Sequence, residues 1–222
     1  ASGSLEAELE VLEQRMRERG LNAVCLGYCP DTPDKFGDLV YYRYLREQRR
    51  QLAGANMAAD GWLYGYDEPH CRPDFEQFKG IMREVYDMVE AVAPGMPRGS
   101  TTAIVPDLVG AVNLWVPQTM QVVRHDTLAR QQAGDTVWTY VACTPPHPFA
   151  NYFIEYAALE QRLLGWQTWQ EHCTGFLYYA TNLWRPNYEK DDQRWPDVPW
   201  NPRPAKDFQF NGDGLLIYPH PD

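Results

Sequence analysis

The chain has 222 residues, of which 44% are hydrophobic, so it is long enough to bury a substantial core, and no shift in composition marks a linker. Its net charge is −10, from 20 basic against 30 acidic residues, which argues against nucleic acid or an anionic membrane as a partner. The one basic run, residues 43–50, is typical of a solvated helix face, and no apolar run is long enough to cross a bilayer.

The first quarter of the chain alternates between helix and strand. Apolar residues at helical spacing, followed by Gly20 as a stop, predict an amphipathic helix over residues 4–19. A strand is predicted over residues 21–28, a second helix over residues 38–53, and a second strand from Gly61.

The strand that begins at Gly61 ends in two adjacent carboxylates. Its aromatic residues are typical of a buried strand, and Pro69 cannot continue the ladder. Asp67 and Glu68 therefore stand at a strand's carboxyl end, which is the active-site position in a barrel of alternating strands and helices. Two acids also suit the hydrolysis of a sugar bond, in which one group protonates the leaving oxygen and another stabilises charge. The alternative is that the pair caps a helix beginning near Pro73.

The middle of the chain continues the alternation. Apolar residues at helical spacing from Phe75 to Val92 predict a long helix with a core-facing stripe, closed by Pro94 and Gly95. Short strands are predicted over residues 101–105, 111–116 and 136–142, with short helical stretches over residues 106–110 and 127–133. Strands that alternate with helices predict a parallel sheet.

The last third is predicted to contain one more long helix and two more strands. The helix covers residues 151–173, with Asn151 as its N-cap, and feeds a strand over residues 175–180. One apolar stripe of that helix comprises Tyr152, Tyr156, Leu159, Leu163 and Trp166. Residues 185–206 predict a long ordered loop, and a turn with a short strand closes the chain over residues 212–219.

Five cysteines stand at positions 25, 29, 71, 143 and 173, an odd number, so at least one stays unpaired unless it bridges to another chain. The close pairs Cys25 with Cys29 and His70 with Cys71 are not completed to a tetrahedral set by a second close pair. We therefore expect no metal ligands and no cofactor.

Three blocks of the sequence together resemble a known family. They are residues 66–69 with Asp67 and Glu68, residues 151–169 with Arg162 and Trp166, and residues 175–179 followed by Asn182, Trp184 and the closing residues 213–219. In order and spacing they resemble the catalytic domain of glycoside hydrolase family 123, the β-N-acetylgalactosaminidases and their relatives. The resemblance covers the chain from about Gly20 onward.

The resemblance implies a (β/α)8 barrel and retaining hydrolysis of β-N-acetylhexosaminides, with the galacto configuration favoured. In this scheme the acetamido group of the substrate attacks C1, the residue matching Glu68 is general acid and then base, and Asp67 orients and stabilises the acetamido group. A glycan or glycoconjugate is the expected partner. A rival interpretation is a non-catalytic carbohydrate-binding or structural barrel of the same fold.

The strand count departs from the family pattern. Apart from the short closing strand over residues 212–219, the sequence predicts six strands rather than eight, and the acidic pair of the family ends strand four, so we expect the two missing strands before Ala1. Residues 1–222 then form one domain, the carboxyl-terminal three quarters of a barrel, with a loop and closing strand at 185–222. An upstream segment or a partner chain would complete it, because open edge strands invite association. An upstream signal would favour a secreted, periplasmic or cell-surface location.

Further substrate contacts are predicted near other strand ends. Trp115, Tyr140, Asn182 and Trp184 lie at or just past such ends, where an aromatic face can stack on a sugar and an amide can hold its hydroxyls. For Trp115 and Tyr140 a core-filling role is the alternative. Tyr66 precedes the acids and either hydrogen-bonds the acetamido group or lines the barrel.

Overall fold

The computed structural model describes Gln14, Glu18 and residues 23–32, 39–54, 61–183 and 211–218. The chain divides into two compact units, the first ending at Trp115 and the second beginning at Val116. None of the described helices is both long enough and apolar enough to cross a membrane. The predicted loop over residues 185–206 and most of the predicted helix over residues 4–19 lie outside the described residues, although Gln14 and Glu18 are helical.

The first unit contains four parallel strands with helices between them. Its elements are β1 (Val24–Cys25), α1 (Leu39–Gly54), β2 (Gly61–Tyr66), α2 (Phe75–Val92), β3 (Arg98–Ser100) and β4 (Leu114–Trp115), with 3-10 turns at Pro69–Cys71 and Pro106–Leu108. The strands pair in chain order, β1 with β2, β2 with β3 and β3 with β4. Their carboxyl ends therefore meet at one edge of the sheet.

The long helix α2 supplies most of the first unit's core. The stripe predicted from its spacing is confirmed, because Phe78, Met82, Val85 and Val89 are buried. Tyr86 joins them, and its hydroxyl donates to the carbonyl of Gly99 over 2.6 Å, which ties the helix to β3. Burying this apolar face is what fixes the helix against the sheet.

The strand predicted over residues 101–105 is wrong, because the strand lies three residues earlier, in β3. Its first residue, Arg98, is only 6% exposed, and its guanidinium donates to the Ala111 carbonyl over 2.8 Å and pairs with Glu90. A charged residue can be buried when it is paired in this way. The polar segment Arg98–Ser100 therefore forms a strand that apolar alternation does not reveal.

Gly65 is required where β2 approaches β3. Its φ is +67°, and a Cβ there would lie 2.4 Å from the Gly99 carbonyl oxygen. The register between β2 and β3 shifts between Leu63 and Tyr66, which is a bulge-type irregularity. The bend occurs directly before the two acids, so it sets the direction in which the chain leaves the strand.

The second unit contains two long parallel strands. Its elements are a 3-10 turn at Thr119–Gln121, α3 (Arg124–Gln132), β5 (Thr136–Val141), α4 (Ala158–Gln170) and β6 (Gly175–Tyr178). β5 pairs with β6 from Trp138 opposite Gly175 to Val141 opposite Tyr178. Gln118 forms a further parallel bridge with Tyr140.

The long helix predicted over residues 151–173 is shorter than expected. It begins at Ala158, and Asn151 is not its N-cap, because the Asn151 amide donates to the carbonyls of Ala142 and Pro145 over 3.0 and 3.1 Å. The residues before the helix are held instead by long-range bonds, such as the Ile154 N–H to the Asn211 carbonyl. Bonds to residues outside the predicted helix thus take the place of intrahelical bonds before Ala158.

The apolar stripe predicted on this helix is buried at Tyr156, but its three members within α4 are exposed. Leu159, Leu163 and Trp166 are 64, 43 and 70% exposed, as is Trp169 at 74%. Leu164 is the buried residue of α4, and it packs with Val141 and Ala150. The closing strand predicted over residues 212–219 is reduced, in the described part, to one antiparallel bridge between Leu215 and Asn182.

The structure confirms a parallel α/β fold. The described residues hold six strands, the number that the sequence predicts, and every pairing between two of them is parallel.

Candidate active site at the carboxyl end of the second strand

Three neighbouring strand ends meet around the two acids of the first unit. Tyr28 follows β1 and forms a parallel bridge with Gly65, Asp67 and Glu68 follow β2, and Thr101 follows β3. The β2 and β3 ends are tied by the Thr101 N–H and the Ser100 hydroxyl, which donate to the Tyr66 carbonyl over 3.3 and 2.9 Å. The predicted position of the acids at a strand's carboxyl end is confirmed.

Asp67 is exposed but its carboxylate is anchored. The Tyr64 hydroxyl donates to Oδ1 over 2.9 Å, and the Thr101 hydroxyl donates to the same oxygen over 3.0 Å. Among the described residues none donates to Oδ2. The arrangement fixes one oxygen of the carboxylate and leaves the other to meet a ligand, which is the arrangement expected of a group that stabilises developing positive charge.

Glu68 has a left-handed backbone, with φ 40° and ψ 49°. A non-glycine residue in this region is uncommon, and such residues cluster at functional sites. Its N–H donates to the Thr101 hydroxyl oxygen over 2.7 Å. Glu68 makes no side-chain cap to the turn that follows, and the residue before α2 is Asp74, so the helix-capping alternative for the acids is not what the structure shows.

The side chains next to the acids have raised pKa values. The Cys71 thiol lies 3.9 Å from Glu68 Oε2, and its pKa is raised by burial and then by the charges of Glu68 and Asp67. Burial also raises the pKa of Tyr64, so its hydroxyl stays protonated and remains a donor to Asp67. Both neighbours of the acids, Cys71 and Tyr64, are thus held in their protonated forms.

Tyr28 is a candidate that the sequence analysis missed. Its ring is 62% exposed, lies 4.9 Å from the Tyr64 ring, and has its pKa raised by burial and then by the charge of Asp67. An exposed aromatic face next to two acids is suited to stacking on a sugar. The sequence did contain a basis for choosing Tyr28. It ends the strand predicted over residues 21–28, and the other candidates were chosen because they lie at or just past such strand ends.

Two predicted contacts of the first unit are buried. Tyr66 is 4% exposed, and its hydroxyl donates to the Pro30 carbonyl over 2.9 Å while its ring packs edge-on against Phe78 and Tyr86. Trp115 is fully buried. This burial fits the alternatives that Tyr66 lines the barrel and that Trp115 fills the core. Direct contact of either residue with substrate stays a prediction.

The remaining predicted contacts belong to the second unit. Tyr140 is 3% exposed within β5, whereas Asn182 is exposed after β6 and forms a bridge with Leu215. Trp184 lies outside the described residues. Their roles as substrate contacts stay predictions.

The second unit has its own carboxylate beside a strand end. Asp213 accepts from the Tyr179 hydroxyl over 2.8 Å and from the Tyr178 hydroxyl over 3.4 Å, and the Tyr178 oxygen also accepts from the Gly214 N–H over 2.7 Å. Burial, and then the charge of Asp213, raises the pKa of Tyr178, which keeps this donor protonated. The tyrosines of the 175–179 block thereby hold the closing segment against β6.

The structure also describes His147 and possible metal ligands of the chain. His147 stacks on Tyr156 at 3.7 Å between ring centres and lies 3.1 Å from Glu160, within the second unit. In the part of the chain that the structure describes, no three His, Cys, Asp or Glu side chains are grouped as ligands of a metal ion. None of the five cysteines, which all lie within the described residues, forms a disulfide bond.

Two acids at the carboxyl end of a strand in a parallel α/β fold occupy an active-site position and are groups that the hydrolysis of a sugar bond can use. The family profile described as "Glycoside hydrolase 123, catalytic domain" matches residues 25–222. The chain therefore belongs to glycoside hydrolase family 123, as its three sequence blocks predicted. No curated protein sequence matches it.

A solved structure has a similar fold. A family 123 glycoside hydrolase from Clostridium perfringens, described in a study of glycolipid glycan hydrolysis, is 14% identical with a TM-score of 0.58, over 86% of this chain and 31% of that one. This chain thus spans about a third of the length of that structure. A putative glycerophosphoryl diester phosphodiesterase from Silicibacter pomeroyi is 12% identical with a TM-score of 0.43, over 76% of this chain and 51% of that one.

Proposed function

We propose that this domain is a retaining glycosidase that cleaves β-N-acetylhexosaminides, with the galacto configuration favoured, by substrate-assisted catalysis. Family membership supports a glycosidase and a glycan substrate. The observation that carries the mechanism is the anchoring of Asp67 through Oδ1 by Tyr64 and Thr101. A carboxylate held in this way is preorganised to stabilise a cation rather than to move toward C1 as a nucleophile.

The adjacency of the acids supports the same mechanism. In the usual retaining scheme two carboxylates flank the sugar about 5–5.5 Å apart and one forms a covalent bond to C1. Neighbouring residues on one strand end are too constrained to flank the sugar from both faces. The substrate's own acetamido oxygen therefore takes the nucleophile's role.

The proposed first step leaves the enzyme without a covalent bond to the sugar. Glu68 donates its proton to the leaving oxygen as the bond from C1 to that oxygen breaks, and the acetamido oxygen forms a new bond to C1. The ring that results carries positive charge beside its nitrogen, and Asp67 stabilises that charge as it develops.

The second step reverses the roles of the groups. Glu68, now a carboxylate, takes a proton from water as the water oxygen bonds to C1, and the bond from C1 to the acetamido oxygen breaks. Two inversions at C1 give a product with retained β configuration. The site belongs, in this proposal, to a (β/α)8 barrel, and the two strands that this architecture requires beyond the six described here stay a prediction.

A panel of 4-nitrophenyl glycosides tests the function. We expect turnover of the β-N-acetylgalactosaminide, less of the β-N-acetylglucosaminide, and none of the β-galactoside or β-glucoside that lack the acetamido group. A chelator should leave the rate unchanged, because the proposed mechanism uses no metal. Binding of the sugars without any turnover would support the non-catalytic alternative and overturn the proposal.

A further inference from the structure

Thr101 stands between the two acids and contacts both. Its hydroxyl oxygen accepts from the Glu68 N–H over 2.7 Å, and its hydroxyl hydrogen is donated to Asp67 Oδ1 over 3.0 Å. One hydroxyl therefore uses its donor and its acceptor on consecutive residues. No other described hydroxyl links the two acids in this way.

The backbone on which Thr101 acts is strained. Glu68 has φ 40°, a conformation that costs a non-glycine residue free energy and persists only where its surroundings fix it. Because the Thr101 hydroxyl oxygen accepts from the Glu68 N–H, it helps to hold Glu68 in this conformation. The position of the Glu68 side chain follows from that backbone conformation.

Thr101 is itself firmly placed and cannot touch a substrate. It is 1% exposed, and its own N–H donates to the Tyr66 carbonyl over 3.3 Å at the end of β2. Its effect on a bound sugar must therefore pass through Asp67 and Glu68. A buried residue that orients two functional groups is a supporting residue whose rotamer is set by packing.

We propose that Thr101 is the positioning residue of the acid pair. Through a single hydroxyl it holds Asp67 Oδ1 and the Glu68 backbone in fixed positions relative to each other. This inference rests on the proposed function of the two acids. In this inference Thr101, the residue after β3, aligns the two acids that follow β2. Tyr64 supplies the second donor to Asp67, but it has no bond to Glu68 among the described contacts.

Thr101→Val keeps the shape of the side chain and removes the hydroxyl. We expect kcat on the 4-nitrophenyl 2-acetamido glycoside to fall about 10- to 100-fold with little change in KM, because the lost bond orients a charge that acts in the transition state. Thr101→Ser restores the hydroxyl and should recover most of the rate. The Glu68 amide should also exchange its hydrogen faster in Thr101→Val, and not in Thr101→Ser.

Thr102→Val is the matched control. Thr102 is also 1% exposed, and its hydroxyl has no hydrogen-bond partner among the described residues, so the same chemical change removes no bond there. This variant should keep the wild-type kcat and the wild-type exchange of the Glu68 amide. Equal losses of kcat in the two valine variants would show a general effect of packing and overturn the positioning role.

The outcomes separate this inference from the function on which it rests. If the wild type is active and Thr101→Val keeps the wild-type kcat, the role of Thr101 is overturned and the proposed function stands. A wild-type protein that hydrolyses none of the 2-acetamido glycosides would overturn both. A loss of kcat in Thr101→Val that Thr101→Ser recovers and Thr102→Val does not share would support the inference.

Discussion

Each unit has an aspartate beside a strand end, Asp67 in the first and Asp213 in the second, and the surroundings of the two differ. In the first unit, Asp67 accepts two hydroxyl bonds on one oxygen and is followed by Glu68 in a left-handed conformation. In the second unit, Asp213 accepts from Tyr178 through one oxygen and from Tyr179 through the other. A carboxylate engaged through both oxygens is suited to holding a chain segment, whereas one with an oxygen to spare is suited to chemistry.

The difference teaches that position at a strand end is not enough to assign a function. Asp213 comes from a segment more than 30 residues after β6, and its tyrosine partners tie that segment down. Asp67 and Glu68 are adjacent, and the strand itself delivers both. We therefore expect changes at the first site to alter catalysis and changes at the second to alter stability.

The largest effect is expected for Glu68→Gln, which keeps the shape of the side chain but removes its transferable proton. General acid catalysis contributes about 10² to 10⁴-fold, and the need for it falls as the leaving group becomes more acidic. The variant should lose far more activity on a natural glycan than on an activated aryl glycoside. Equal losses of kcat/KM on the two substrates would indicate a binding or folding role instead.

Asp67→Asn should have the next largest effect. The amide keeps its size but cannot neutralise the charge that develops on the acetamido-derived ring, so kcat should fall about 10²- to 10³-fold while KM changes little. A thiazoline mimic of that ring should inhibit the wild type competitively and bind the variant more weakly. Steady-state kinetics with and without the mimic measure both; a raised KM at unchanged kcat would contradict the assignment.

The sequence predicted the core of the first unit well and that of the second unit less well. On α2, helical spacing identified Phe78, Met82, Val85 and Val89, because that face packs within its own unit. On α4, the same kind of spacing identified Leu159, Leu163 and Trp166, which are exposed. Periodicity reveals an apolar stripe, but what covers the stripe is decided by chain segments far away in sequence.

The acids were predictable, while the groups that support them were not. Aromatic residues followed by Asp67, Glu68 and Pro69 marked a strand end from the sequence alone. Thr101 was assigned to a strand that in fact ends at Ser100, because Arg98 is buried through its pairing with Glu90, a contact that spacing cannot show. A shift of three residues in the position of one strand was enough to hide the residue that contacts both acids.

The smallest effect on activity is expected for Asp213→Asn. Loss of the charge weakens the bonds from Tyr178 and Tyr179, which should lower the free energy of unfolding by about 1 kcal/mol and Tm by about 2–4 °C. Because Asp213 has a structural role in this account, kcat should change little. Thermal denaturation and steady-state kinetics on the same preparation check this, and a large fall in kcat at unchanged Tm would make Asp213 part of the catalytic machinery.

The stereochemistry of the first product tests the account most directly. NMR spectra that resolve the two anomers, recorded in the first minutes of hydrolysis of a β-N-acetylgalactosaminide, distinguish two displacements at C1 from one. We predict that the β anomer appears first and converts slowly to the equilibrium mixture. Initial release of the α anomer would show direct attack by water, contradict substrate assistance, and require a second carboxylate farther from Glu68.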